Sequence, residues 1–284
     1  MTRGANKEPL WTRDLVLASL VNLCLAFVFY ALMTTMAMYA VERFGASDTI
    51  GGLASSVFVI GAMVARLFAG NLVDLIGRRR ALVISLAVFA AASLGYLPVD
   101  SLNSLAALLV VRVIHGMSFA VAATAATAIA QALIPPSRRA EGTGYFTLTL
   151  TLATAVGPFL ALMLVRGPGY TALFAAGSVA AALAMIMALL LRSPDIPLSP
   201  QERTRLRRFH PSDMLHLAVV PVAAFMFVTS VGYSGVVTFL ESHAGERGLE
   251  SGAKVFFLVY AAVLFLARLV AGRLQDRRGA NVVV

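Results

Sequence analysis

Acidic side chains are scarce where a soluble fold or a carboxylate proton relay would need them. The 284 residues hold 14 Asp and Glu against 23 Lys and Arg, and only 13% are charged, where a soluble domain carries about a quarter. No acid lies deep in an apolar run: Asp14, Glu42, Asp74, Asp100, Glu141, Asp213 and Glu241 all fall near run ends. A relay built on carboxylates is therefore not visible. Cysteine is scarcer still. The single Cys24 lies in the first apolar run without an intrachain partner, which excludes a disulfide framework and a cysteine metal site and leaves it a packing role. Catalytic patterns are missing too. Gly116-Met117-Ser118-Phe119-Ala120 only grazes the nucleophile-elbow pattern and sits inside an apolar run, and His210 and His216 have no third ligand nearby. The chain reads as no enzyme, with no cofactor and no metal.

Apolar residues make up 59% of the chain, and mean hydropathy is +0.84. The chain is therefore a polytopic membrane protein. Eight runs are long enough to span a hydrocarbon core of about 30 Å, which takes about 20 helical residues. They are approximately Leu15 to Val41, Thr49 to Val73, Ala81 to Val99, Ser104 to Ile134, Gly142 to Val165, Tyr170 to Leu191, Met214 to Leu240, and Ala253 to Gly272. The first is too long for a signal peptide and is read as a retained helix.

The net charge of +9 comes mostly from Arg in short loops between the runs, so it sets orientation and does not point to nucleic acid. Sixteen Lys and Arg lie in the N-terminal tail and after the even-numbered runs, against four on the alternate side, Arg43, Arg166 and Arg247 in loops and Lys254 at the very start of the eighth run. That asymmetry predicts an inner-membrane protein with a cytoplasmic N-terminus. Three more, Arg66, Arg112 and Arg268, lie inside runs.

A repeat organises the whole. Ala65 to Gly77 and Ala267 to Gly279 match at a constant offset of 202 in eight of thirteen positions, including Gly70/Gly272, Leu72/Leu274, Asp74/Asp276 and Gly77/Gly279. This spacing is too long for a solenoid period of about 20 to 50 residues and fits duplication of a half-protein. Each copy closes an apolar run. Gly there permits close helix contact, whereas Asp meets the negative end of a helix dipole, a cost of about 0.3 to 1 kcal/mol that a cation or another helix's N-terminus offsets. Arg78 is the local cation for Asp74.

These residues resemble the major facilitator superfamily, whose loop signature reads G-x-L-x-D-x-x-G-R-R/K. Gly70, Leu72, Asp74, Gly77, Arg78 and Arg79 match the first copy; Gly272, Leu274, Asp276 and Gly279 match the second, whose later basic positions are Ala280 and Asn281. The resemblance implies an all-α membrane helix bundle with eight spans present of an expected twelve. It divides the chain into a six-helix half over 1–192, a cytoplasmic linker over 193–213 rich in Pro and Arg, and a partial second half over 214–284. Val284 corresponds by offset to Leu82, so the chain is expected to be shortened relative to that plan, as a fragment or as a short protein.

Two further segments carry the resemblance. Leu108-x3-Arg112-x2-His115-Gly116 looks like the family's helix-4 motif, with His115 in place of Gln, a motif the family associates with proton coupling. Arg112 lies about 12 Å into its run, where a cation is expected to face a polar cavity between runs 1, 4 and 5. His115 shares its face and reads either as a titrating partner or as a hydrogen-bonded core histidine. In run 5, Gly144-x8-Ala153-x3-Gly157-Pro158 resembles the antiporter motif, with Ala153, Ala161 and Leu162 departing from it. Pro158 should kink its helix. Asn22, Tyr30 and Thr34 form one stripe of run 1 and are expected opposite Arg112, with Tyr233 of run 7 beside them.

The resemblance implies a secondary transporter working by alternating access, with proton-coupled efflux of a small molecule expected. Its partners are then a small-molecule substrate, protons and the lipid bilayer, and the chain is expected to be a monomer. Two other readings stay open: an uptake symporter of the same fold, and a shortened membrane protein that does not transport. Asp276 is expected to meet helix 5 near Glu141 to Tyr145, while Asp74 relies on Arg78 and water.

Overall fold

A computed structural model describes residues 8–193, 199–207, 217–232 and 250–279. Among these residues the structure is helical, with no strand. Helices α1 (Arg13–Phe44), α2 (Asp48–Ile76), α3 (Arg78–Leu102), α4 (Leu105–Leu133), α5 (Arg139–Arg166) and α6 (Tyr170–Leu190) form a bundle. A short α7 (Pro200–Arg207) follows, then α8 (Leu217–Gly232), whose first turn is 3₁₀, and α9 (Glu250–Arg278). Six of these, α1 to α6, are long and apolar enough to cross a membrane.

Helix ends sit where local chemistry satisfies orphan backbone groups. Thr12 Oγ1 accepts from the Leu15 amide at 3.2 Å to open α1, and Gly45 closes it in the left-handed conformation at φ 61°. Gly77, at φ 93°, is the single residue between α2 and α3. A side chain there would be strained, which explains the Gly in the first repeat. Ser199 and Glu202 form a capping box: the Ser199 amide and hydroxyl donate to Glu202 Oε2 at 2.8 and 2.7 Å, and the Glu202 amide returns a bond to Ser199 Oγ at 3.3 Å. The Ser199 hydroxyl and amide hold the exposed Glu202 carboxyl below its ordinary range.

The core is organised on α1, whose buried positions Leu15, Ala18, Val21, Leu25, Val28, Leu32, Met36 and Tyr39 recur at steps of three and four. It touches α2, α4, α5 and α6. Helix α4 packs against both α2 and α3, which hardly meet each other. On the basic end of the bundle α9 lies against α5, and the linker helix α7 lies against α2.

Candidate functional site

Small residues set how closely the helices approach. A Cβ on Gly116 would stand 2.0 Å from the Phe58 carbonyl oxygen, and one on Gly61 would stand 2.7 Å from that of Val113. The two glycines therefore let α2 and α4 touch backbone to backbone. Next to this contact Arg112 reaches across. Its Nε donates to the Ala54 carbonyl at 2.9 Å, its Nη2 donates to that of Ser55 at 2.8 Å, and its guanidinium lies 4.8 Å from the Phe58 ring centre. Arg112 is 1% exposed. It thus faces α2 and not a cavity between α1, α4 and α5. Planar donors that find two adjacent carbonyls and an aromatic face are well solvated without water.

One turn on, His115 is 0% exposed and points to α3. Its Nε2 is 3.1 Å from Ser93 Oγ and its Nδ1 is 2.9 Å from Tyr96 Oη. Both ring nitrogens thus meet hydroxyls of α3, which can donate or accept. Phe58 stacks edge-on against His115 at 5.4 Å, between it and Arg112. Neither Phe58, Ser93 nor Tyr96 carries a motif that would have singled it out.

The α1 stripe is not opposite Arg112. Asn22 donates to Thr149 Oγ1 on α5 at 2.8 Å. Thr34 is exposed and returns its hydroxyl to the Tyr30 carbonyl at 2.9 Å, a bond internal to α1. Half-buried Tyr30 packs beneath Gly157, where a Cβ would stand 3.0 Å from Tyr30 Cβ. Gly157 of the helix-5 motif thereby sets the α1–α5 approach, with Pro158 inside α5 beside it. Gly144 lies further toward the basic end, in the cleft between α5 and α9. Tyr233 lies outside the described residues.

The two repeat copies differ most. In the second, a Cβ on Gly272 would meet the Ala140 carbonyl at 2.8 Å, so α9 touches the first turn of α5 directly. Asp276, one turn on, accepts from the Ala140 and Glu141 amides at 2.9 and 2.8 Å. These are orphan donors at a positive helix end, which offset the carboxylate's unfavourable place near the end of α9. Arg273 completes the contact, donating to Glu141 Oε1 at 2.9 Å and to Tyr145 Oη at 2.7 Å, while Arg138 donates to Glu141 Oε2 at 2.9 Å. Gly279 ends α9 at φ 85°.

In the first copy, Gly70 and Asp74 are exposed, and nothing stands within 4 Å of a Cβ placed on Gly70. Asp74 has no hydrogen-bond or ion-pair partner among the described residues. The expected Asp74–Arg78 pair does not form. Arg78 opens α3 beyond the Gly77 turn and reaches the Ala128 carbonyl at 3.5 Å. Arg79 caps α6, donating to the Leu191 and Leu189 carbonyls at 2.8 and 2.7 Å, where a cation meets the negative helix end.

Asp276→Asn should loosen the α5–α9 contact, because an amide keeps one acceptor and loses the charge that strengthens both bonds. The expected readout, in a Cys24→Ala background, is severalfold faster alkylation of a cysteine introduced at Thr143, which lines the cleft between the two helices. An unchanged rate would mean that the Gly272 contact alone holds α9 in place.

Solved structures with the same fold are transporters. The human organic anion transporter MFSD10 (TETRAN) aligns at TM-score 0.62 and 17% identity, covering 94% of this chain and 72% of that one. A double Trp mutant of XylE aligns at 0.66 and 12% identity, covering 93% and 69%. The proton:xylose symporter XylE bound to 6-bromo-6-deoxy-D-glucose aligns at 0.56 and 13% identity, covering 95% of this chain and 55% of that one. This chain thus spans between about half and three quarters of their lengths. No curated protein matches its sequence. The family profile of the Major Facilitator Superfamily matches residues 18–284. With the repeated G-x-L-x-D-x-x-G segment, the six apolar spans and that match over nearly the whole chain, the protein belongs to the Major Facilitator Superfamily.

Proposed function

We propose that this chain is a secondary active transporter working by alternating access, which exports a small molecule in exchange for protons. The division is proposed as a six-helix half over 1–192, a cytoplasmic linker over 193–213 and part of a second half over 214–284, in a plasma membrane with the N-terminus inside. The observation that carries alternating access is the α5–α9 contact, where Asp276 and Gly272 hold α9 on the first turn of α5. A contact of a few polar bonds at one end of the bundle closes that end reversibly without disturbing the apolar core.

Export is favoured by the helix-5 sequence, where Gly157 packs onto Tyr30 with Pro158 beside it. Uptake remains the second reading, because XylE is described as a proton:xylose symporter. Inside-out vesicles decide between them. Imposing a proton gradient, acid inside, should drive accumulation of a fluorescent substrate identified by screening amphipathic dyes. Accumulation only in right-side-out vesicles under an inward proton gradient would establish uptake.

Orientation is checked separately. A cysteine at Ser199, in a Cys24→Ala background, should react with an impermeant maleimide only from the cytoplasmic side, and one at Ser242 only from outside. Reversed labelling would overturn the topology and the proposed direction together.

A further inference from the structure

Between α2 and α3, with α4 as its floor, runs a cavity of about 370 Å³ open to the outside of the bundle. Phe68 and Leu72 of α2, Ile84 and Val88 of α3, and Met117 and Val121 of α4 line it. Its two serines add no polarity. Ser85 donates to the Ala81 carbonyl at 2.7 Å, and Ser118 donates to that of His115 at 2.9 Å. The lining residues of α2 extend from Ala65 to Ile76. Eleven steps of about 1.5 Å give about 16 Å, close to half of a hydrocarbon core of about 30 Å. The groove therefore has the length of one leaflet.

Its mouth lies at the Arg-rich end. Arg80 precedes Ile84 and Val88 by one and two helical turns, on the same stripe of α3. Its two neighbours are committed elsewhere, Arg78 to α4 and Arg79 to the end of α6. Arg80 is exposed and has no hydrogen bond or ion pair among the described residues. Asp74 does not neutralise it across the groove: it lies about 200° around α2 from both Leu72 and Ile76, away from the lining.

We infer that this groove is an anionic-phospholipid site, holding one acyl chain between α2 and α3 with the lipid phosphate at Arg80. A chain one leaflet long fills the apolar slot. A free cation at its open end selects the charged headgroup over a zwitterionic one. The site is separate from the α5–α9 contact and does not depend on the direction of transport.

The test uses the full chain with Trp11→Phe and a single reporter, Ile84→Trp, placed on the groove wall at a residue 55% exposed. Quenching is measured in bilayers with dibrominated phosphatidylglycerol or dibrominated phosphatidylcholine. One Arg near the membrane surface is expected to favour the anionic lipid about fivefold. A control reporter at Leu183 on α6 should give a ratio near one. Arg80→Gln should bring the groove ratio down to the control, while leaving quenching by phosphatidylcholine unchanged. Equal ratios at Ile84→Trp and Leu183→Trp, or a groove ratio unaffected by Arg80→Gln, would overturn the site. A loss of quenching by both lipids at Ile84→Trp would overturn it as well, since no chain would then occupy the groove.

Discussion

Replacing Gly116 with Ala should cost this protein its native helix packing, a larger effect than a methyl at any other described glycine is expected to have. The added carbon would stand 2.0 Å from the Phe58 carbonyl oxygen, 2.8 Å from its carbon and 3.1 Å from its Cα. All three are backbone atoms, which cannot turn aside as a flexible side chain does. Relief requires α2 and α4 to separate by about 1 Å or more, and this would also open the Gly61–Val113 contact and stretch both Arg112 bonds. Overpacking a core ordinarily costs about 1 to 3 kcal/mol, and a backbone clash shared by two crossing helices belongs at or beyond the upper end. The measurement is thermal unfolding in detergent, with monodisperse yield as a second readout. Gly52→Ala is the control, because nothing lies within 4 Å of its Cβ position. There the loss of glycine's unfolded-state freedom should stabilise by about 0.4 to 1 kcal/mol. If Gly116→Ala were as stable as Gly52→Ala, the close α2–α4 crossing would be wrong.

Arg112 should separate stability from transport. The Ala54 and Ser55 carbonyls belong to α2, which runs from Asp48 to Ile76, so Arg112→Leu leaves their intrahelical bonds in place and removes a buried cation. Insertion is eased, since a cation at mid-membrane costs at least about 2.5 kcal/mol. Arg112→Lys keeps the charge but gives up the planar fork that reaches two carbonyls at once. The expected order of thermal stability therefore places Leu above Lys. Coupled transport should follow the other order, wild type above Lys above Leu, with the Leu variant reduced to background. The measurement is paired proton and substrate flux in proteoliposomes for the three proteins. Normal coupled flux in the Leu variant would reduce Arg112 to a tie between α2 and α4. Equal stability of wild type and Lys would show that the second carbonyl bond contributes nothing, and a Lys variant as stable as the Leu one would overturn the expected cost of the buried ammonium.

Composition, run lengths and the repeat by themselves determine the class of this protein. A backbone in lipid must satisfy its own polar groups, so long apolar runs become helices. Loop Arg counts carry the proposed orientation, and an eight-in-thirteen match at a fixed offset carries the resemblance to the family. The repeat marks Gly272 and Asp276 no more than Gly70 and Asp74, and the meeting of Asp276 with α5 was legible only through the family resemblance.

What only the tertiary structure decided is which neighbour each helix face meets. A soluble helix shows its inner face by contrast with a polar outer one, but a membrane helix is apolar all round and its sequence holds little information about azimuth. Periodicity thus placed Asn22, Tyr30 and Thr34 on one stripe, and packing sent Asn22 to Thr149, Tyr30 to Gly157 and Thr34 back to its own helix. It likewise placed Arg112 and His115 one turn apart, and packing turned the first to α2 and the second to α3, with Phe58 against both. The same holds for the two aspartates. Their local sequences are nearly alike, and Asp276 differs from Asp74 because α9 brings it onto the open amides of α5, whereas the described chain brings no such helix end to Asp74.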